Sequence, residues 1–312
     1  MRCDLHVHSV HSGPSDLPLL GRVANECYSS PREVYETALS RGMDLVTLTD
    51  HDTIAGALEI AGLPGTFVSE EVTCTLPGGR ELHLGVFDID EVRHERITRL
   101  RRDAEALFAY LAEERIPACV NHLFSALTGR RRTEDFRLAL DGVGLVEAKN
   151  GMMCAASNDR AAAAGRCAGL SAVGGSDAHT LASVARAHTS VPGAGSREEF
   201  LDGLRRGLTL AAGESGSYAR LAGDLARIFA GTYLDFGRRA LQTPAGALRF
   251  ALMLGGLPIG ALIPFVTAWL YAREHVFARH HYRRFQAASL RLARPPLPPG
   301  PFGPAQAGAA LP

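Results

Sequence analysis

Short apolar runs alternate with helical segments from the N-terminus to about residue 212, and this alternation restricts the fold more than any other feature of the sequence. Such runs between helices are typical of strands in a parallel or mostly parallel α/β fold. We therefore expect an α/β barrel. Its predicted strands are Cys3 to His6, Leu45 to Thr49, Thr66 to Ser69, Leu82 to Phe87, Ala118 to Asn121, Leu145 to Ala148 and Ser171 to Val173.

Local signals predict two helices and one hairpin. Ser30 is a suitable N-cap, Pro31 fits the first helical position, and Gly42 is a suitable stop. Apolar residues between Glu91 and Glu114 follow a helical period and predict one long helix. The Pro-Gly-Gly turn within the segment from Glu71 to Phe87 predicts a hairpin rather than a crossover.

The alternation ends near Gly213, where we place a domain boundary. We predict a helical extension for residues 213–290 and a disordered tail for residues 291–312, which are rich in Pro, Gly and Ala. The uncharged stretch from Phe250 to Tyr271 is long enough to cross a bilayer, but its prolines and glycines also fit short helices packed on the barrel. Since no apolar leader follows Met1, we expect cytoplasmic localisation and leave membrane association open.

The composition excludes several classes of function. Acidic and basic side chains balance at 33 each, so the charge does not call for nucleic acid or an anionic surface. Lys149 is the only lysine, which removes a P-loop lysine and most Schiff-base chemistry. The cysteines form no CxxC pair and are expected to be buried free thiols.

Polar residues with metal-binding chemistry follow the predicted strands. In an extended chain His6 and His8 point to the same side, although an HxH pair alone is more often two ordinary histidines. Six of the twelve histidines fall at strand ends or in the hairpin, where active sites of barrels assemble. We therefore predict a multinuclear metal site. The residues concerned are His6, His8, His51, His83, His122 and His179, with Asp50, Asp52, Glu70, Glu71 and Asp177.

The order DLHVHS, TDHD, a strand-end Glu, HLG, NH and GSDAH resembles the PHP (polymerase and histidinol phosphatase) family over residues 1–212. The first part also resembles PHP modules that some bacterial proteins carry ahead of a glycosyltransferase domain. The resemblance implies a distorted barrel of seven strands and seven helices. It also implies hydrolysis of a phosphate ester at two or three divalent transition metals (Mn, Fe or Zn), with metal-bound hydroxide as the nucleophile.

The resemblance further implies which residues hold which metal. One ion is held by His6, His8, Glu71 and Asp177, and a second by Glu71, His83 and His122. A third is held by His51 and His179. Glu71 is the bridging carboxylate, and Glu70 is its reserve. Asp50 and Asp52 flank His51 and are interpreted as acceptors that orient ligand imidazoles or as the catalytic acid or base.

The sequence departs from the family at the third metal. The family usually places an aspartate five residues after the HxH pair, whereas this chain has Gly13 there. His11 or Asp16 could replace that aspartate, or the third site could be weak or empty. This departure supports an alternative function, a catalytically reduced metal-binding or membrane-anchoring module.

The substrate leaves fewer signals. A phosphate group needs fixed cations or amide donors, for which Arg130, Lys149 and Asn150 are the candidates, although Arg130 belongs to an arginine run that also fits a solvated surface. The expected partners are a phosphorylated small molecule or nucleotide, with short nucleic acid left open. A hydrolase of amidohydrolase type is less favoured, because such sites usually use a bridging lysine and Lys149 is poorly placed for it.

Overall fold

The computed structural model describes residues 1–14, 24–126, 128–129, 131–240, 248, 250–251, 254–255 and 257–291. Its strands are β1 (Arg2–Asp4), β2 (Leu45–Val46), β3 (Ser69–Leu76), β4 (Arg80–Phe87), β5 (Ala118–Val120), β6 (Leu145–Asn150), β7 (Ser171–Gly175), β8 (Ala187–Ser190) and β9 (Leu210–Gly213). Its α-helices are α1 (Pro31–Ser40), α2 (Ala55–Ile60), α3 (Glu91–Leu100), α4 (Ala104–Glu113), α5 (Thr133–Asp141), α6 (Ala155–Ala168), α7 (Arg197–Arg205), α8 (Tyr218–Ala240) and α9 (Ile263–Arg291).

The strands form two sheets, with the orders β2-β1-β8-β9 and β3-β4-β5-β6-β7. Isolated bridges connect them: Val46 to Thr66 beside β3, and Val7 to Ala178 beyond β7. The mixed α/β class is confirmed, but the single barrel sheet is divided. Asp52, His122 and Asp177, which follow strands or their extensions, have positive φ angles that do not continue a strand.

The predicted hairpin is confirmed, because β3 and β4 pair antiparallel along their full length. The helix beginning at Pro31 is also confirmed, with a capping box between Ser30 and Glu33. The prediction of one helix from 91 to 114 is wrong. Asp103 caps a new helix, and the Arg101 carbonyl accepts the Thr75 N–H at 2.8 Å, so the chain turns there to meet the hairpin.

Strands β8 and β9 were not among the seven predicted strands. The segment of β8, Ala-His-Thr-Ser, has no apolar run, and it forms a strand because it pairs antiparallel with both β1 and β9. Five of the cysteines are buried as expected, whereas Cys167 is exposed.

The C-terminal helices pack on the rest of the fold. Helix α9 contributes Ala278 and Phe285 to the largest core cluster, and the Phe285 ring lies 6.4 Å from that of Phe124. The apolar stretch at 250–271 does not form one helix over its described residues, since a 3-10 helix at Leu257–Leu262 precedes α9. No helix in the described part of the chain is long and apolar enough to span a bilayer. Residues 292–312 of the predicted tail lie outside the described residues, and the boundary at Gly213 stays a prediction.

Candidate metal centre

The Glu71 carboxylate is fully buried and is surrounded by imidazole nitrogens. Five histidines approach it, and the strand and loop ends that bring them come from different parts of the chain. Oε1 lies 3.3 Å from His6 Nε2, 3.2 Å from His122 Nε2 and 3.4 Å from His83 Nδ1, while Oε2 lies 3.6 Å from His8 Nε2 and 3.1 Å from His51 Nδ1.

Asp177 forms a second centre beside the first. Its Oδ1 lies 3.4 Å from His6 Nε2, 3.5 Å from His8 Nε2 and 3.8 Å from His179 Nδ1. The structure thus brings all the predicted metal ligands into overlapping groups whose donor atoms lie within 4.8 Å of one another. The groups are His8, His51 and His179; His6, His8 and Asp177; His6, Glu71 and His122; and His51, Glu71 and His83.

Close backbone contact between the first strand and the segment after β7 sets this geometry. The Asp177 N–H donates to the His6 carbonyl at 2.6 Å, and the His8 N–H donates to the Ala178 carbonyl at 3.1 Å. A Cβ atom at Gly175 would lie only 2.3 Å from His6 Cβ, so only glycine permits this approach.

Hydrogen bonds fix how three of the imidazoles face the centre. His6 Nδ1 lies 2.8 Å from Glu147 Oε1, and His179 Nδ1 lies 3.0 Å from the Asp177 carbonyl. Since neither acceptor can donate, each Nδ1 carries a proton, and each Nε2 faces the site with a lone pair when the imidazole is neutral. His8 Nδ1 lies 3.0 Å from Ser12 Oγ, whose own O–H donates to Asp50 at 2.7 Å, so His8 presents its Nε2 in the same way.

The acidic groups of the centre are held ionised. Burial would raise the pKa of Glu71, but the charges of His6, His83 and His51 outweigh it and lower that pKa well below its usual value. At Asp177 burial would also raise the pKa, but the nearby charge of His6 outweighs burial, and the pKa of Asp177 is lowered. These carboxylates therefore create a strongly negative potential at the cluster at neutral pH.

The environment of the cluster shifts the pKa values of His6 and His8 in opposite directions. Burial lowers the pKa of His6, but Glu71, Asp177 and Glu147 reverse the effect and raise it well above the usual value. Burial and the neighbouring His179 lower the pKa of His8 to about 4. Carboxylates that favour a proton at His6 also favour another cation in the same place.

The ligand atoms are arranged to bind metal ions rather than to form hydrogen bonds with one another. His6 Nε2, His8 Nε2, His83 Nδ1 and Glu71 Oε2 are buried and have no hydrogen-bond partner among the described residues. Two donors bound at about 2.0 to 2.2 Å to one tetrahedral ion lie about 3.4 Å apart, close to the separations found here. Imidazole nitrogen with carboxylate oxygen suits first-row transition metals such as Mn, Fe or Zn.

Several contributors to the site were missed in the sequence. Glu147 within β6 accepts the His122 N–H at 2.7 Å in addition to its contact with His6, and an acidic residue inside a predicted buried strand could have revealed it. Asn121 Nδ2 donates to Glu71 Oε1 at 2.8 Å. Glu26, whose carboxylate lies 3.1 Å from His51 Nε2, stands in a loop with no sequence signal.

The structure separates the two adjacent glutamates and the two aspartates beside His51. Glu70 points away from the cluster and contacts His94 Nδ1 at 2.9 Å, so Glu71 takes the central place. Asp50 accepts hydrogen bonds from Ser9 and Ser12, and it supports His8 through Ser12. Asp52 accepts from the Thr73 N–H at 2.8 Å and from Arg101 at 2.9 Å. Both aspartates thus orient other groups, whereas a catalytic role for either stays a prediction.

The residues considered for substrate binding are less favourably placed. Arg130 lies outside the described residues, and Lys149 Nζ lies 3.4 Å from Ser215 Oγ. The Asn150 amide donates to both Glu147 and Asp177, so its two N–H groups support the site and are not available to a substrate. His11 contacts Glu59 at 3.0 Å and belongs to none of the ligand groups found among the described residues, and the suggestion that it replaces the missing aspartate stays a prediction. Asp16, the other suggestion, lies outside the described residues.

Comparison with known proteins finds a family model that matches part of the chain. Residues 155–209 match the model described as PHP-associated, which confirms the PHP resemblance for that region. An uncharacterized protein of Methanocaldococcus jannaschii is 33% identical over 72 residues, which is 23% of this chain and 41% of that protein. The match therefore spans less than half of that relative's length.

Solved structures with similar folds include PsfC from Pseudomonas syringae and a candidate metal-dependent phosphoesterase from Bifidobacterium adolescentis. PsfC is 16% identical with a TM-score of 0.49, covering 75% of this chain and 96% of its own. The second is 18% identical with a TM-score of 0.40, covering 57% and 87%.

Proposed function

We propose that this chain is a PHP-type phosphoesterase that hydrolyses a phosphate ester of a small metabolite, a nucleotide or an oligonucleotide end. The observation that carries the proposal is the Glu71 carboxylate, buried among five imidazole nitrogens at 3.1 to 3.6 Å. Burial of such a cluster without a cation costs free energy, because the charged carboxylates and the ligand atoms without a hydrogen-bond partner are removed from water. Bound divalent metals would supply Lewis acidity toward the phosphoryl oxygens and lower the pKa of a coordinated water.

The residues divide into three groups by the ion they would hold. Glu71 lies between the first two groups, so its carboxylate can serve both ions, a role that an imidazole with one free lone pair cannot fill. The groups are His6, His8, Glu71 and Asp177 for the first ion, Glu71, His83 and His122 for the second, and His51 and His179 for the third.

The surrounding side chains orient these ligands. Glu147 holds His6 by its Nδ1 and the segment of His122 by its backbone N–H, so one carboxylate fixes ligands of both the first and the second ion. The pair of Ser12 and Asp50 does the same for His8. Hydrogen bonds of this kind make an imidazole a better ligand and reduce its freedom to turn away.

The test uses the full chain with Mn added and a panel of phosphomonoesters, nucleoside bisphosphates and short RNA, beside N-acyl amides as non-phosphate substrates. Glu71→Gln keeps the shape of the side chain but removes its charge. It should lower phosphate ester hydrolysis by about 10³-fold or more, since metal stabilisation of the transition state is worth several kcal/mol. Glu70→Gln is the matched control, because this neighbouring buried carboxylate points away from the cluster.

Equal loss in the two variants, or none in Glu71→Gln, would remove the support for the metal centre. Hydrolysis of amides without any of phosphate esters would contradict the substrate class. Metal analysis of the wild-type protein tests the reduced-module alternative, which is favoured by fewer than two equivalents.

A second function, attachment to an anionic membrane surface, has support from one face of α9. Phe265, Trp269 and Val276 are exposed by 72%, 60% and 70%, and they follow the spacing of one helical face. Beside Val276 a groove is lined by Arg279, Arg283 and Arg284. An apolar face with adjoining arginines is typical of helices that lie in the interface of anionic lipids.

Sedimentation with vesicles tests this second function. Trp269→Glu should abolish binding of the protein to phosphatidylserine-containing vesicles, whereas neutral phosphatidylcholine vesicles should bind little of either protein. Binding that is unchanged in the variant, or equal for both lipids, would contradict it.

A further inference from the structure

The proposed third metal group contains two imidazoles but lacks the carboxylate expected at position 13. Gly13 has φ 82° and ψ −153°, a backbone conformation that is essentially restricted to glycine. A side chain at this position would be strained, so the loop that follows the first strand cannot supply the carboxylate from there. If the third ion has an acidic ligand, another segment must provide it.

Glu26 provides a carboxylate at this point. Its Oε2 lies 3.1 Å from His51 Nε2 and 3.7 Å from His179 Nε2, and its side chain is only 15% exposed. The carboxylate oxygen thus contacts one nitrogen of each imidazole, and the three side chains come from separate parts of the chain.

The backbone brings Glu26 to the position that Gly13 leaves open. The Glu26 N–H donates to the Gly13 carbonyl at 3.1 Å, and Asn25 forms an antiparallel bridge with Pro14. The two segments therefore run side by side. A carboxylate on Glu26 can reach the corner of the site that a side chain at position 13 would have served.

Helix α8 holds this segment in place. The Tyr28 O–H donates to Thr232 Oγ1 at 3.0 Å and accepts the Asn25 N–H at 3.0 Å. Gly231 lets the helix lie against the Tyr28 ring, since a Cβ atom there would come within 2.8 Å of Cδ2. Side chains held on a rigid support keep a defined ligand geometry.

We infer that Glu26 is the carboxylate ligand of a third transition metal ion, which His51 Nε2 and His179 Nε2 complete. Two imidazoles with one carboxylate form a ligand set known for zinc and for non-haem iron. The inference rests on the proposed function for the existence of the neighbouring metal ions. An ion pair between Glu26 and a protonated His179 is the competing explanation, and metal titration distinguishes the two.

The experiment measures metal content and affinity rather than activity. Full-length protein is freed of metal by a chelator, and Mn or Zn is returned in competition with a chromophoric chelator. Wild-type protein should bind three equivalents. Glu26→Gln should keep two of them at wild-type affinity and bind the third at least about 10-fold more weakly. Loss of a residue that only orients a metal ligand already weakens metal binding by about 10-fold.

Glu59→Gln is the matched control, because Glu59 forms the same kind of contact with His11 at 3.0 Å away from the cluster. This variant should bind metal like the wild type. Three equivalents at unchanged affinity in Glu26→Gln would overturn the inference, and so would a wild-type protein that hydrolyses phosphate esters with only two. A wild-type protein that binds no transition metal would overturn both the inference and the proposed function.

A second measurement does not depend on the folding of a variant. Anomalous diffraction from wild-type crystals soaked with Mn should give a peak in contact with the Glu26 carboxylate, separate from the peaks at Glu71. A third peak that contacts the two histidines and not Glu26 would overturn the inference.

Discussion

Asp224 of α8 should stabilise the loop that carries a predicted metal ligand. Its side chain is 1% exposed, and it accepts hydrogen bonds from Thr180 Oγ1 at 2.5 Å and from Ser183 Oγ at 2.6 Å. Thr180 directly follows His179 in the chain. The helix therefore holds the loop that follows His179.

The expected cost of Asp224→Ala follows from these two contacts. A hydrogen bond to a charged group contributes about 1.5 to 3 kcal/mol, and removal of the acceptor also leaves two buried hydroxyls without it. Because the two bonds share one acceptor, their effects overlap, and we expect the free energy of unfolding to fall by about 3 to 5 kcal/mol. Asp224→Asn, which keeps one acceptor oxygen, should lose roughly half as much.

Urea unfolding of the metal-free protein, followed by circular dichroism, measures this loss without the contribution of metal binding. Asp202→Ala is the control, since Asp202 forms an exposed i,i+4 pair with Arg206 that is worth at most about 1 kcal/mol. The reasoning is refuted if the two alanine variants unfold at the same urea midpoint with equal m-values.

Three further outcomes are expected. Glu147→Gln should weaken metal retention by about 10- to 100-fold in chelator competition, because it loses the charged partner of His6; wild-type retention would contradict that. Gly175→Ala should destabilise the fold by about 1 to 3 kcal/mol in urea, since its Cβ would overlap His6, whereas Gly62→Ala, with open space around it, should not. Metal at about 100 times its Kd should stabilise the wild type by about 2.7 kcal/mol in thermal unfolding, and an equal gain in Glu71→Gln would show that the metal acts elsewhere.

The ligands at strand ends could be predicted from the sequence because their position follows from local rules. His6 and His8 alternate along an extended segment, so their side chains share a face whatever the rest of the chain does. His51 and His122 follow short apolar runs, and in a barrel the carboxyl ends of the strands meet at one face. The prediction required only the strands themselves, and the structure brings these residues together.

Groups that reach the site from outside the strands could not be predicted in this way. Glu26 stands in a loop with no periodicity, and its place depends on pairing with the Gly13 segment and on contact with α8. The division of the barrel sheet also had no signal in the sequence. The positive φ angles of His122 and Asp177, which are uncommon for residues other than glycine, had none either.

The C-terminal helices contribute to the metal centre through contacts that could not be predicted from the sequence. Asp224 of α8 holds the loop after His179, and Glu274 of α9 accepts the Ala126 N–H at 2.9 Å in the loop after His122. Each helix thus places a carboxylate, buried at Asp224 and partly buried at Glu274, against a loop that leads away from a predicted ligand. Because a ligand displaced by even about 1 Å weakens a site, precision at the centre depends on these helices as well as on the strands.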